Sequence, residues 1–299
     1  MTKQELGLFI HGLQFKLACH EVKGQAFQKL FEQIMQKHDR SFILVKPSGR
    51  AGDWKCDGLS QDSGTIYQCY APDELTASAA AKKVKEDFYG ARKQWGQTMK
   101  SWVFVWSAVG SLPPQVVGAL QEIRNDNKAI KIEDLGREGL WNIVKGLSEG
   151  VRTEILGVVP DLDAVSVSTT AEIQTLLKFL TREEFAHETE LLDLTEISEK
   201  LKRNRLSASI RAIVTPSIPV AKLVEKYVTR HPDPQFSAQI ANNLAVHYKR
   251  LADQALEPDL IFWQMMKYVA AGEDSDAKTF WAATGILAYY FQLCDIFEQ

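Results

Sequence analysis

Apolar side chains recur at helical spacing between Gln25 and His38, where Phe27, Leu30, Phe31, Ile34 and Met35 form one stripe, so this stretch predicts an amphipathic helix behind Gly24. The pattern then shortens to period-two runs. Ser41–Val45 reads as a strand ended by Pro47 and Gly49, and Gly64–Tyr70 as a second strand. After the Ala71-Pro72 break, Glu74–Gln94 predicts a long basic helix, Trp102–Trp106 a buried strand, Pro114–Arg124 another helix and Ile130–Ile132 a last strand. Strands alternating with helices in this order imply a mixed sheet with helices packed on it, because each crossover must return its strand to the same sheet.

Beyond Val167 no further strand pattern occurs. Leu176–Leu180 and Leu191–Leu206 are helical candidates. Pro216 and Pro219 break the chain, and Val220–Val228, Phe236–Leu251, Asp259–Ala270 and Ala277–Leu293 predict a set of amphipathic helices. The organisation expected is an α/β domain over residues 1–148, a connecting region over 149–192 and an all-α domain over 193–299. The opening segment Leu6–Cys19 is apolar but interrupted by His11, Gln14 and Lys16, and it does not read as a signal peptide. The uncharged run Ser101–Gln121 contains Gly110 and Pro113-Pro114, which fits a strand and turn better than a membrane span.

Composition changes this picture little. With 45% hydrophobic and 24% charged residues the chain can bury a core, and a net charge of −3 confines any contact with nucleic acid to a local patch. Cys19, Cys56, Cys69 and Cys294 form no CxxC pair, which points to a thiol-reducing, cytoplasmic setting without structural zinc. No GxxxxGK[ST], GxGxxG, HExxH or GxSxG string is present, so nucleotide, dinucleotide, zincin and hydrolase readings lack their anchors.

The chemistry that remains lies in GRAGDWKCDGLSQD and the strand after it. Asp57 is followed about ten residues later by the amide of Gln68, and two such oxygens can serve one Mg²⁺, which is hard and keeps most of its waters. Asp53 is a further oxygen donor. A nearby lysine would steady charge on a phosphate, and Lys83 is the candidate because its helix runs directly off the strand, with Lys82, Lys85 and Arg92 as phosphate or DNA contacts. The plainer reading makes Asp53 and Asp57 turn formers and the lysines a solvated helix face. His187, His231 and His247 lack partner spacing and are read as structural.

The string GDWKCDGLSQDSGTIYQCYAP resembles the core of Mrr-like restriction endonucleases of the PD-(D/E)XK superfamily, in which Asp-Gly precedes a strand ending Gln-x-Lys. It is still more similar to the nuclease-like effectors of bacterial ABC-three-component conflict systems, whose strand ending YQ-x-YAP leads into a KK-x-x-x-DF helix. Here these are Tyr67–Pro72 and Lys82–Phe88. The segments around Lys202–Ser207, His231–Pro234 and Leu287–Glu298 resemble a helical C-terminal domain type of the same systems.

The resemblance implies a restriction-endonuclease-like domain carrying Asp57, Gln68 and Mg²⁺ or Mn²⁺. It also implies a helical domain docking, through residues such as Tyr290, Phe291 and Phe297, on an ABC-type ATPase and a small middle subunit. Homo-oligomerisation stays open and no membrane contact is implied. Tyr70 occupies the lysine position and Phe27-Gln28 the place where a first-helix glutamate often stands, leaving Glu32 as a substitute acid. Two classes follow: a Mg²⁺-dependent DNA endonuclease held silent by its complex, or a catalytically degenerate subunit that binds DNA or acts as a scaffold.

Overall fold

The computed structural model describes residues 2–45, 54–72, 76–107, 111–161, 170–181, 200–201, 203–272 and 276–293. The chain divides into an α/β unit, Gln14–Leu156, and a helical unit composed of Met1–Leu13 and Gly157–Gln299. Helix α1 (Lys3–Glu21) spans that division, and α6 (Glu149–Leu156) belongs to the α/β unit. The sequence pattern had instead assigned residues 1–13 to the α/β domain and begun the helical domain at 193.

In the α/β unit, α2 (Gly24–His38) leads into a five-stranded mixed sheet of order β1-β2-β3-β4-β5. Strands β1 (Phe42–Leu44), β2 (Gly58–Ser60) and β3 (Thr65–Tyr70) pair antiparallel, and β4 (Ser101–Trp106) and β5 (Lys131–Leu135) continue parallel to β3. Each parallel return is made through a helix, α3 (Ala77–Trp95) before β4 and α4 (Pro114–Asp126) before β5, as parallel pairing requires. Helix α5 (Arg137–Gly146) follows the last strand.

Strand alternation divides the core into two layers. Ile66, Trp102, Phe104 and Trp106 pack with α3 and α4 through Val84, Phe88, Val116 and Leu120. On the other face Val103 and Val105 pack with Phe27, Phe31 and Ile34 of α2 and with Leu140 and Val144 of α5. All six residues of β4 are buried, so the WVFVW run is apolar throughout because both of its faces are covered.

The described part of the helical unit contains α7 (Thr170–Leu180), α8 (Ala208–Thr229), α9 (Phe236–Ala252), α10 (Pro258–Val269) and α11 (Ala277–Leu293). Helix α8 runs through Pro216 and Pro219, which the sequence had suggested as a break. It packs closely on α11, where a Cβ at Gly285 would lie 2.4 Å from Val220 Cγ1, so only glycine lets the two helices approach this far. Among the described residues no helix is long and apolar enough to cross a membrane.

Candidate functional site

Asp57 precedes β2, and its N–H donates to the Tyr67 carbonyl at 2.9 Å. Its carboxylate turns back over β3, where Oδ2 accepts the Cys69 N–H at 2.7 Å. The carboxylate is thereby fixed beside the backbone that carries Gln68. Gly58 has its own reason to follow it: a Cβ there would lie 2.3 Å from the Phe42 ring, so the Asp-Gly pair is partly a packing device between β1 and β2. Asp57 is only 7% exposed, as is Gln68.

Gln68 stands between Ile66 and Tyr70 on the α3-facing side of β3, opposite Phe104 of β4. Its Oε1 is buried and accepts no hydrogen bond. A buried amide oxygen without a donor loses the free energy of its hydration, so such an atom calls for an explanation, and a ligand is one. Tyr67 and Cys69 point to the other face. Burial pushes the Cys69 thiol well above its ordinary range, and the charges of Asp57 and then Glu32 push it further, which places the substitute acid Glu32 within electrostatic reach of the same strand.

Two groups that sequence reasoning did not single out meet on the helix after β3: its own Asp87, and Lys55 from the turn before β2. Asp87 lies on the buried stripe of α3 with Val84, Phe88 and Ala91 and has 0% exposure. Its Oδ1 receives Lys83 Nζ at 2.5 Å and Lys55 Nζ at 3.0 Å, while its buried Oδ2 receives no hydrogen bond. Lys55 reaches Asp87 because Trp54 and Lys55 both adopt left-handed backbone, φ +55° and +58°, an uncommon conformation for residues with side chains. The turn is held on α3 by a Trp54–Trp95 ring contact at 5.6 Å, by Trp95 Nε1 donating to the Trp54 carbonyl, and by the Lys55 stem lying against Gly90. Tyr70 lies nearby: burial and then the Asp87 carboxylate raise its hydroxyl pKa.

Asp57 and Gln68 meet at the backbone of β3, where the Asp57 carboxylate accepts the N–H of the residue after Gln68, while Lys83 of α3 is committed to Asp87. Lys82, Lys85 and Arg92 do not join them. Lys82 pairs with Glu86 on the outer face of α3, and Lys85 and Arg92 turn to Glu122 and Asn127 on the α4 side, roughly half a turn away from Lys83. Tyr290 and Phe291 are 0% and 1% exposed, and the Tyr290 hydroxyl bonds Ser237 at 3.3 Å, so both build the core of the helical unit and neither is presented for docking. Asp53 and Phe297 lie outside the described residues.

Whether these groups suit a cation is a matter of donor chemistry. Among the described residues no three His, Cys, Asp or Glu side chains are placed to share an ion, so a thiolate or imidazole site is not formed. A hard cation that keeps several waters needs only one or two protein oxygens, and the donor-free Gln68 Oε1 and the Asp57 carboxylate are oxygen donors of that kind. The thiols of Cys19, Cys56 and Cys69 are unbridged. Compared with protein-family models, curated proteins and solved structures, the chain gives no match in any of the three.

Proposed function

We propose that the α/β unit is a Mg²⁺-dependent DNA endonuclease of the PD-(D/E)XK type, serving as the effector of a bacterial defence complex to which the helical unit attaches it. In this reading the partners are an ABC-type ATPase and a small middle subunit, and the setting is the cytoplasm. The observation that supports the proposal is the buried, donor-free oxygen of Gln68, on the strand whose next residue, Cys69, donates its N–H to the Asp57 carboxylate. These are the two positions of the Asp-Gly and Gln-x-Lys pattern. The mixed sheet with helices on both faces is compatible with a restriction-endonuclease-like fold.

Asp57 and Gln68 would hold Mg²⁺ or Mn²⁺, which when bound supplies charge neutralisation at the phosphate and a more acidic water. The chain's own groups do the rest. Asp57 is oriented by the Cys69 amide, and the ammonium groups of Lys83 and Lys55, gathered by Asp87, would meet a phosphate's developing charge.

A second reading, a degenerate nuclease fold that binds DNA or serves as a scaffold, is favoured by one observation. Tyr70 replaces the strand lysine, while Lys83 is tied to a buried carboxylate. Cleavage of supercoiled and linear DNA by the assembled complex, with Mg²⁺ and ATP, separates the two. Asp57→Asn keeps an oxygen that can accept the Cys69 N–H but loses the charge, and the nuclease reading expects cleavage to fall by ~10²-fold or more with folding retained. Equal cleavage by this variant, or none by the parent chain, would favour the scaffold.

A further inference from the structure

Trp54 presents its ring to solvent in a way that core packing does not require. It is 44% exposed, although burial is the usual use of so large an apolar side chain. The left-handed pair Trp54–Lys55 is fixed on the C-terminal half of α3. Trp95 Nε1 donates to the Trp54 carbonyl at 3.2 Å, the two indoles meet edge to face at 5.6 Å, and a Cβ at Gly90 would lie 2.8 Å from Lys55 Cγ. A side chain held in place before binding loses little further freedom when something packs on it.

The charge on this side of α3 is positive. Lys55 Nζ and Lys83 Nζ lie 3.0 and 2.5 Å from the same Asp87 oxygen, so the two ammonium groups are neighbours, and their side chains are 42% and 36% exposed. Lys93, one helical turn beyond Gly90, is exposed and makes no ion pair among the described residues. The buried Asp87 offsets one of these three cations, and the adjoining Lys82–Glu86 pair cancels itself. From Lys83 to Lys93 the helix rises about 15 Å, the length of a few nucleotides.

From this we infer that the Trp54 turn and this side of α3 form a binding surface for single-stranded DNA, on which a base stacks on the Trp54 indole while Lys55, Lys83 and Lys93 meet flanking phosphates. An exposed ring next to a lysine and set on a basic helix face suits a chain in which planar bases alternate with negative charges, and stacking on such a platform holds it without sequence readout. A base inside a duplex has both faces covered by its neighbours, so the indole can take only an unpaired one. A lone ring in a basic setting is not the contiguous apolar patch that marks a protein interface. The choice of DNA rests on the endonuclease reading; the surface itself does not need the strand to be cut.

Fluorescence anisotropy of a labelled oligothymidine of about 12 nucleotides, titrated with the full chain in EDTA, tests the surface without cleavage. The parent chain should bind it more tightly than a duplex of the same length, with affinity falling as salt rises. Trp54→Leu, apolar but without a ring face, should weaken binding ~10-fold or more, and Trp54→Phe should recover most of it. Lys93→Gln should weaken binding and lower the salt slope by about 0.7, the loss of one phosphate contact. Lys85→Gln, whose parent ammonium turns to Glu122 on the α4 side, should change neither. Should Trp54→Leu fail to fold, the contrast between the two lysine variants decides. No binding by the parent chain, folded Trp54→Leu binding as the parent does, or polyglutamate competing as well as the DNA overturns the surface. Failure of the endonuclease reading looks different: oligothymidine bound through Trp54 and Lys93, with no DNA cut in Mg²⁺, refutes cleavage and keeps the surface. Cleavage lost in Asp57→Asn, with binding unchanged in the Trp54 and Lys93 variants, does the reverse.

Discussion

The two units bury polar groups in different ways. In the helical unit Asn243 Nδ2 donates to the Leu180 carbonyl at 2.6 Å, Ser217 Oγ to Val214 at 2.7 Å and Thr284 Oγ1 to Phe280 at 2.8 Å, so these groups serve the helices that carry them. In the α/β unit Gln68 Oε1, Asp87 Oδ2 and the indole N–H groups of Trp102 and Trp106 are buried with no partner, and the helical unit has one comparable indole, Trp263. Satisfied polar groups fix one packing, whereas unsatisfied ones cost free energy that folding alone does not recover. In the α/β unit, then, an amide oxygen of β3 and a carboxylate oxygen of α3 are buried without a hydrogen bond.

The largest effect expected from this comparison lies in the apolar packing of the helical unit. Gly285→Leu would drive a side chain into Val220 and the backbone of Ala221 and should destabilise that unit by about 3 kcal/mol, read by hydrogen exchange resolved to each unit. The α/β amides should keep their protection. Protection lost equally in both units would mean that they do not unfold independently.

Next in size is the paired amide. Asn243→Leu strands the Leu180 carbonyl and should cost about 2 kcal/mol in thermal or urea unfolding. A neutral result would remove the distinction between satisfied and unsatisfied groups.

A smaller effect is expected at the start of α11. There Asp276 accepts the Thr279 N–H at 2.9 Å and its hydroxyl at 3.0 Å, and these bonds, the backbone one foremost, lower the carboxyl pKa. Because the folded-state pKa is depressed, the contribution is present above the unfolded value of about 4 and is lost as pH falls through the folded value. Asp276→Ala should cost about 1 kcal/mol at pH 7 and markedly less near pH 2, measured by denaturant unfolding at both. A cost that grows on acidification would contradict the cap.

Smallest of all is Gln68→Met. Removing an acceptor that has no donor should change the stability of the metal-free chain by less than about 0.5 kcal/mol, or raise it. A loss near that of Asn243→Leu would show that Gln68 has a partner in solution.

How much of this was legible in the sequence depended on whether a segment's partners were local. The α2 stripe and the WVFVW strand are read directly because burial on one face or on both leaves a period in the chain. Strand β2 has three residues, Gly58–Ser60, with only Leu59 apolar, too short to show an alternation. Helix α1 is apolar on several sides and carries His11, Gln14 and Lys16, so it has no clean stripe. The prolines of α8 predict a break from local chemistry, but tertiary packing on α11 keeps the helix continuous.

The candidate site divides along the same line. Asp57 and Gln68 stand in a motif, whereas Asp87 is an acid in an apolar stripe whose meaning appears only once Lys55 arrives from a distant turn. A charged residue at a core-facing helix position with a basic residue at i−4, as Lys83 is to Asp87, was the available signal.

In the proposed reading Gln68 Oε1 and the Asp57 carboxylate hold a divalent cation. Mn²⁺ soaked into crystals of the full chain and located by its anomalous scattering tests this most directly. The expected result is a peak within about 2.5 Å of Gln68 Oε1, with Asp57 completing the protein ligands. Ordered water at Gln68 and Asp57, with Mn²⁺ found only on exposed surface carboxylates, would contradict it.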